Sequence, residues 1–354
     1  MTADMEYRQL GASGLRVSVI TLGTMTYGGR GKFAQVGEVG PEEARRQVDL
    51  ALAAGVNLID TADVYSDGRS EEIVGEVLAG RRDDVLVATK ARFSMGPGQN
   101  DAGLSRHHLV RACEASLRRL RTDYIDLYQV HQWDGRTPVD ETLSALDHLV
   151  SSGKVRYVGC SNFSGWHVMK SLATSAREHL ARYVSQQIHY TLQARDAERE
   201  LLPLAVDSGL GVLVWSPLAG GLLSGKFRRD APEPEGSRHL TDWNEPPVPD
   251  QEKLYDIVET LVEIGKAHEV SAARVALAWL IGRAGVSTVI VGARREDQLV
   301  DNLAAAGLRL SPEETARLEE VSRPPLAYPY WHQAASASER LSEADLVLLH
   351  PYLS

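Results

Sequence analysis

Eight short apolar runs set the organisation of this chain: residues 19–22, 56–59, 85–88, 125–130, 155–159, 183–187, 211–215 and 288–291. Runs of this length, bounded by polar and turn residues, read as buried strands. Helical patterns lie between them. Pro41-Glu42-Glu43 opens one with Ala44, Val48, Ala51 and Leu52 among its apolar residues. Ser105 precedes another, with Leu109, Ala112, Cys113, Ser116, Leu117 and Leu120 on one face. Thr137-Pro138 reads as a cap and a first-turn proline ahead of Leu143, Leu146, Leu149 and Val150, and Ser311-Pro312-Glu313-Glu314 fits a capping box. Strands alternating with helices imply a parallel sheet. Eight such units over about 270 residues match a closed (β/α)8 barrel of typical size. The rival, an open doubly wound sheet, usually has fewer strands, and no G-x-G-x-x-G follows the first run. The expectation is one α/β barrel domain over residues 1–354, with its core at about 6–322. A hairpin of 7–10 and 15–17 around Gly11-Ala12-Ser13-Gly14 would plug the floor. A loop at 27–40 carries five glycines, and a long Pro-, Gly- and charge-rich loop is expected at 228–250.

On such a barrel the chemistry gathers at the C-terminal ends of the strands. Asp60, Lys90 and His131 stand at those positions, and Tyr65 lies five residues beyond Asp60. Singly, each has an ordinary reading: the aspartate as a helix cap, the histidine as a satisfied core residue. Lys90 alters the balance, because the chain has 31 arginines and only seven lysines. Lysine can also be tuned to a lower pKa, which arginine in practice cannot. Together the four make a proton donor. A free phenol titrates near 10, too high for easy transfer at neutral pH. An adjacent ammonium favours phenolate and lowers that value, and a carboxylate keeps the ammonium charged. His131 could orient a carbonyl oxygen or relay its proton. A tyrosine so equipped would protonate an alkoxide as it forms, which calls for a hydride donor.

Composition narrows the partner. With 43% hydrophobic and 24% charged residues the chain can bury a full core. No apolar run approaches the roughly 18 residues needed to span a bilayer. The opening MTADMEYRQLGASG lacks the features of a signal peptide. A net charge of -10 disfavours nucleic acid and anionic membrane as partners. Cys113 and Cys160 sit in no CxxC, suit a reducing cytoplasm and give no metal site. A small molecule is the expected partner, with homo-oligomerisation left open.

Five segments in order carry a resemblance. NLIDTADVYSDGRSEEIVG at 57–75, VATK at 87–90, LYQVHQWD at 127–134, VRYVGCSNF at 155–163 and VLVWSPLAGGLLSGK at 212–226 resemble the aldo-keto reductase superfamily, and its bacterial branch in particular. The resemblance implies a (β/α)8 barrel, NADPH in preference to NADH, and reduction of an aldehyde or ketone. It matches Asp60, Tyr65, Lys90 and His131 to the family's catalytic tetrad, with Tyr65 the general acid. It places the nicotinamide carboxamide on Ser161, Asn162 and Gln187, and the nicotinamide ring on Trp215. Ser216, Pro217, Leu218, Gly220, Gly221, Leu222 and Lys226 would lie beside the pyrophosphate. Gly292, Ala293, Arg294 and Gln298 would surround the 2′-phosphate, with Asp301 and Asn302 on the adenine and Val291 also in the cofactor set. Gly23, Thr24 and Met25 at the first strand end complete the expected cofactor set. Relatives often have Pro at the position of Val291, or Lys-Ser at Gly292-Ala293.

Gly220 to Phe227 nearly spells a phosphate-binding loop, but Phe227 stands where a magnesium-binding Ser or Thr belongs. Lys90 could instead form a Schiff base in a lyase or aldolase, although an Asp60 ion pair would blunt it as a nucleophile. A slow-turnover, NADPH-holding sensor subunit is the third reading. The tail, 323–354, carries Tyr328, Tyr330, Trp331 and Tyr352 after Pro324-Pro325. It is expected to cross the barrel mouth, with Tyr328, Tyr330 and Trp331 joining Tyr27 and Trp133 around the substrate; a strap on an outer helix is the alternative.

Overall fold

The computed structural model describes residues 5–229, 245–336 and 338–353, so residues 230–244 of the loop expected at 228–250 lie outside the described residues. Strands β1 (Tyr7–Gln9) and β2 (Arg16–Ser18) form an antiparallel hairpin. The next eight strands are β3 (Ile20–Gly23), β4 (Leu58–Asp60), β5 (Leu86–Ala91), β6 (Ile125–Val130), β7 (Val155–Ser161), β8 (Tyr183–His189), β9 (Gly211–Trp215) and β10 (Val286–Val291). They pair in parallel in chain order, and β10 closes the barrel on β3. This is the expected (β/α)8 architecture. Most strand ends run past the apolar runs that announced them, because β4, β7 and β8 end on polar residues and Lys90 is the penultimate residue of β5. Asp60, Lys90, Ser161, Gln187 and His189 lie at or near those ends.

One core lies between the sheet and its helices, where Ile59, Val87, Val130 and Val214 meet Val74, Leu109 and Leu146. A smaller one fills the barrel and is closed by the hairpin: Leu10 and Val17 pack with Leu58, Ala88, Leu127, Leu213 and Ile290. Gly11 makes that plug fit. Its φ is +61°, and a Cβ there would meet Gly209 O and Gly211 N at 2.4 Å. Ser105 caps the helix Arg106–Leu120, and Ser311 and Glu314 form the expected capping box. The cap expected at Thr137 is not made. Pro138 occupies that position, and Thr137 Oγ1 donates to Asp134 Oδ2 at 2.7 Å. A carboxylate is the stronger acceptor for a hydroxyl, and this one also gathers the Leu104 and Arg136 N–H groups.

The tail also departs from expectation. The helix Glu343–Leu349 packs on the outer helix Leu201–Ser208 and buries Leu348 and Leu349. Tyr352 OH donates to Pro324 O, while Tyr330 OH reaches Glu200 Oε1 at 3.4 Å. Tyr328 and Trp331 remain 75% and 51% exposed. The aliphatic pair finds a dry groove on the barrel wall, and the amphipathic aromatics stay wet. Deleting the residues after Arg323 is expected to lower Tm through the loss of roughly 3–6 kcal/mol of leucine burial. The ranking of bulky against small ligands at the barrel mouth should hold. A native Tm with an altered ranking would restore the tail to the substrate side.

Candidate active site

The C-terminal ends of the strands open into a cavity of about 1050 Å³. Lys90 is fully buried beneath it on β5. Its Nζ donates to Asp60 Oδ2 at 2.6 Å, to Thr61 O at 2.8 Å and to Tyr65 OH at 3.4 Å. Asp60 Oδ1 accepts from Gln187 Nε2 at 2.9 Å and from Gln129 Nε2 at 3.3 Å. Tyr65 opens a tight turn in which Ser66 and Asp67 take left-handed φ of 50° and 54°. Ser66 Oγ pins that turn by donating to Tyr27 O at 2.8 Å. Tyr27 is therefore a buried support of the Tyr65 turn and does not line the cavity, contrary to expectation. His131 meets Tyr65 edge-on at 5.8 Å, and its Nδ1 is buried without a hydrogen-bond partner among the described residues.

Burial dominates the electrostatics. It raises the Tyr65 pKa, Lys90 pulls it back, and the net value stays above the ordinary 10. The downward shift expected from the lysine is thus outweighed by loss of water. Burial opposes the charge on Lys90, but Asp60 and then Tyr65 more than offset it, so the ammonium persists. Burial, with Lys90, Lys32 and Arg92, holds His131 well below the usual imidazole value and leaves it neutral.

The remaining expected residues line this same cavity, with a few exceptions. Asn162 takes a left-handed φ of 55°, donates to His131 O at 3.1 Å and accepts from Trp215 Nε1 at 3.1 Å. Ser161 Oγ donates to Gln187 O at 3.0 Å. Ser216, Gly220 and Gly221 fold a concave left-handed turn along the wall, with Lys226 nearby on the lining. Gly23, Thr24, Met25, Pro217, Leu218, Val291, Gly292, Ala293, Gln298 and Asn302 also border it. Leu222 does not; it packs into the core. Asp301 borders the cavity but is already paired with Arg274 at 2.6 Å and with Ser271. Arg294 crosses to the loop after β3, where it donates to Val36 O at 2.8 Å and Gln35 O at 2.9 Å. Trp133 turns away from the cavity and stacks on His167 at 4.1 Å, beside Phe163. Tyr328, Tyr330 and Trp331 are likewise off the lining.

Sequence reading missed Lys32, Phe33, Phe93, Gln132 and His189, all of which line the cavity. Phe93 and Gln132 closely follow the strand ends that carry Lys90 and precede His131, so position could have found them. Lys32 and Phe33 lie in an aperiodic loop, which offers no such signal. Among the described residues no group of His, Cys, Asp or Glu is arranged to hold a metal, and no helix is long and apolar enough to cross a membrane.

A closed parallel barrel whose strand ends converge on a buried Asp–Lys–Tyr arrangement defines the class. Residues 19–323 match the aldo/keto reductase family, and the chain belongs to it. It is 39% identical over 328 residues to the "Uncharacterized oxidoreductase YrpG" of Bacillus subtilis (strain 168), covering 90% of this chain and 96% of that one. It is 36% identical over 327 residues to the "Probable voltage-gated potassium channel subunit beta" of Arabidopsis thaliana, covering 90% and 96%. The "Versiconal hemiacetal acetate reductase" of Aspergillus parasiticus is 34% identical over 352 residues, covering 92% and 99%. Family members generally use nicotinamide cofactors.

Proposed function

We propose that this protein is an NADPH-dependent reductase of aldehydes or ketones. The observation that carries this reading is the charged, fully buried Lys90 held 3.4 Å from the Tyr65 hydroxyl at the cavity floor. The cavity suits a dinucleotide. It runs from Tyr65 past Trp215 and the concave turn to Arg294 and Asn302 as a single space. Ser161, Asn162 and Gln187 would hold the carboxamide, and Trp215 would face the ring. A reduced nicotinamide bound there supplies a hydride to the carbonyl carbon. Tyr65 gives its phenolic proton to the carbonyl oxygen, and Lys90 stabilises the phenolate that remains. Asp60 keeps Lys90 charged. Neutral His131 orients the oxygen by hydrogen bonding, and Phe33, Val64 and Phe93 exclude water. The test is NADPH oxidation with a panel of aldehydes and ketones; the absence of turnover on all of them would refute the reading.

The Schiff-base alternative loses ground, because a lysine held charged by Asp60 is a poor nucleophile. A cofactor-holding subunit of slow turnover keeps one support, the likeness to proteins named as potassium channel β subunits. Turnover near typical enzyme rates, roughly 1–10³ per second, would exclude it.

For the cofactor, Arg294 is proposed to contact the 2′-phosphate. Arg294→Ala is expected to weaken NADPH binding by roughly 10–150-fold, the worth of one charge-assisted contact, and NADH binding much less. Equal wild-type affinities for NADPH and NADH in titrations would contradict this assignment.

A further inference from the structure

The catalytic end of the cavity carries a cation for which the reduction itself has no use. Lys32 lies in the turn Gly31–Gln35 after β3 and lines the cavity beside Phe33, Val64, Phe93 and Gln132. Its Nζ stands 5.3 Å from the centre of the Phe33 ring and 5.8 Å from that of Phe93. Those rings meet the reacting groups edge-on, Phe33 with Tyr65 at 5.4 Å and Phe93 with His131 at 4.9 Å. One aromatic ring therefore separates the ammonium from each of the two groups that would meet a carbonyl oxygen. The ion pair of this end is Lys90 with Asp60, and none among the described residues includes Lys32. Lys226, Arg294 and Arg295, the last paired with Asp297, lie along the stretch proposed for the cofactor.

We propose that Lys32 is a specificity-determining residue that selects aromatic carbonyl compounds bearing a carboxylate or similar anion remote from the carbonyl. The inference rests on the reductase reading. On this proposal an aryl ring would pack against Phe33 and Phe93, with its carbonyl at Tyr65 and His131 and its anionic substituent toward the ammonium. The field of Lys32 reaches the centre, where, after burial and Lys90, it helps keep His131 neutral. Lys32 is exposed, so the attraction is screened and salt-dependent. It should act mainly on KM.

The experiment compares para-carboxybenzaldehyde, its methyl ester and a para-trimethylammonium benzaldehyde at saturating NADPH. Wild type should favour the anion over the ester by roughly two- to fivefold in kcat/KM, as a single screened charge pair allows, and disfavour the cation. The preference should vanish in Lys32→Met, return in Lys32→Arg, invert in Lys32→Glu and shrink at high salt. Turnover of none of the three, and of nothing on the wider aldehyde and ketone panel, would overturn the reductase reading itself; turnover on that panel but of none of the three would overturn the role of Lys32 alone. Equal kcat/KM for all three in wild type, or a preference unmoved in Lys32→Met, would overturn the role of Lys32 and leave that reading standing. So would a Lys32→Met effect confined to NADPH affinity.

Discussion

Replacing Tyr65 by phenylalanine should lower kcat for carbonyl reduction by roughly 10²–10⁴-fold or more, the range expected for loss of a general acid. NADPH affinity should be unchanged, because the hydroxyl takes its hydrogen bond from Lys90 and is assigned to the carbonyl oxygen and not to the cofactor. Fluorescence titration of NADPH beside steady-state kinetics separates the two quantities. Undiminished reduction would remove Tyr65 from the mechanism. The pH profile gives a second check. Reduction needs the protonated phenol, and burial, partly offset by Lys90, holds its pKa above 10. The rate in reduction is therefore expected to be level through neutral pH and to fall only as the pH rises through that raised value. His131 is already neutral there, since its pKa is depressed. A fall in kcat centred near neutrality would contradict both assignments.

Lys90→Met should damage activity and stability together, and a second substitution separates the effects. The single variant leaves Asp60 buried without its ammonium, and breaking such a pair costs about 3–5 kcal/mol. Gln187 and Gln129 still donate to the other carboxylate oxygen, so the lower part of that range is expected. Asp60→Asn combined with Lys90→Met removes both charges and should recover most of the lost stability. It should not recover kcat, because no ammonium remains to stabilise the Tyr65 phenolate. Urea denaturation and steady-state rates on the same preparations measure the two. Recovery of kcat in the double variant would show that Lys90 acts only through packing.

Much of this was legible in the residues because it rests on local rules. Short apolar runs and helical periodicity announced all eight barrel strands, since a parallel strand covered on both faces must be apolar along its length. Asp60, Lys90 and His131 could be placed at the mouth because those runs end where the side chains turn polar. Their extents were read short for the same reason, as at Ser161 and His189. The Ser311–Glu314 capping box was readable because it satisfies a backbone need within a few residues.

What the sequence alone did not determine was set by competition between distant groups. Thr137 looked like a cap until the Asp134 carboxylate drew its hydroxyl away. Tyr65 looked like a phenol with a lowered pKa until burial outweighed the lysine. The tail aromatics looked like a pocket wall, but Leu348 and Leu349 found the outer helix Leu201–Ser208 and carried the segment off the mouth. Phe33 and Lys32 joined the active site from an aperiodic loop that Arg294 ties down across about 260 residues of chain. Periodicity and capping are properties of neighbours in sequence, so the chain states them directly. Which acceptor wins a hydroxyl, how dry a phenol becomes and which groove receives a tail depend on free-energy differences between contacts that exist only after the barrel has closed.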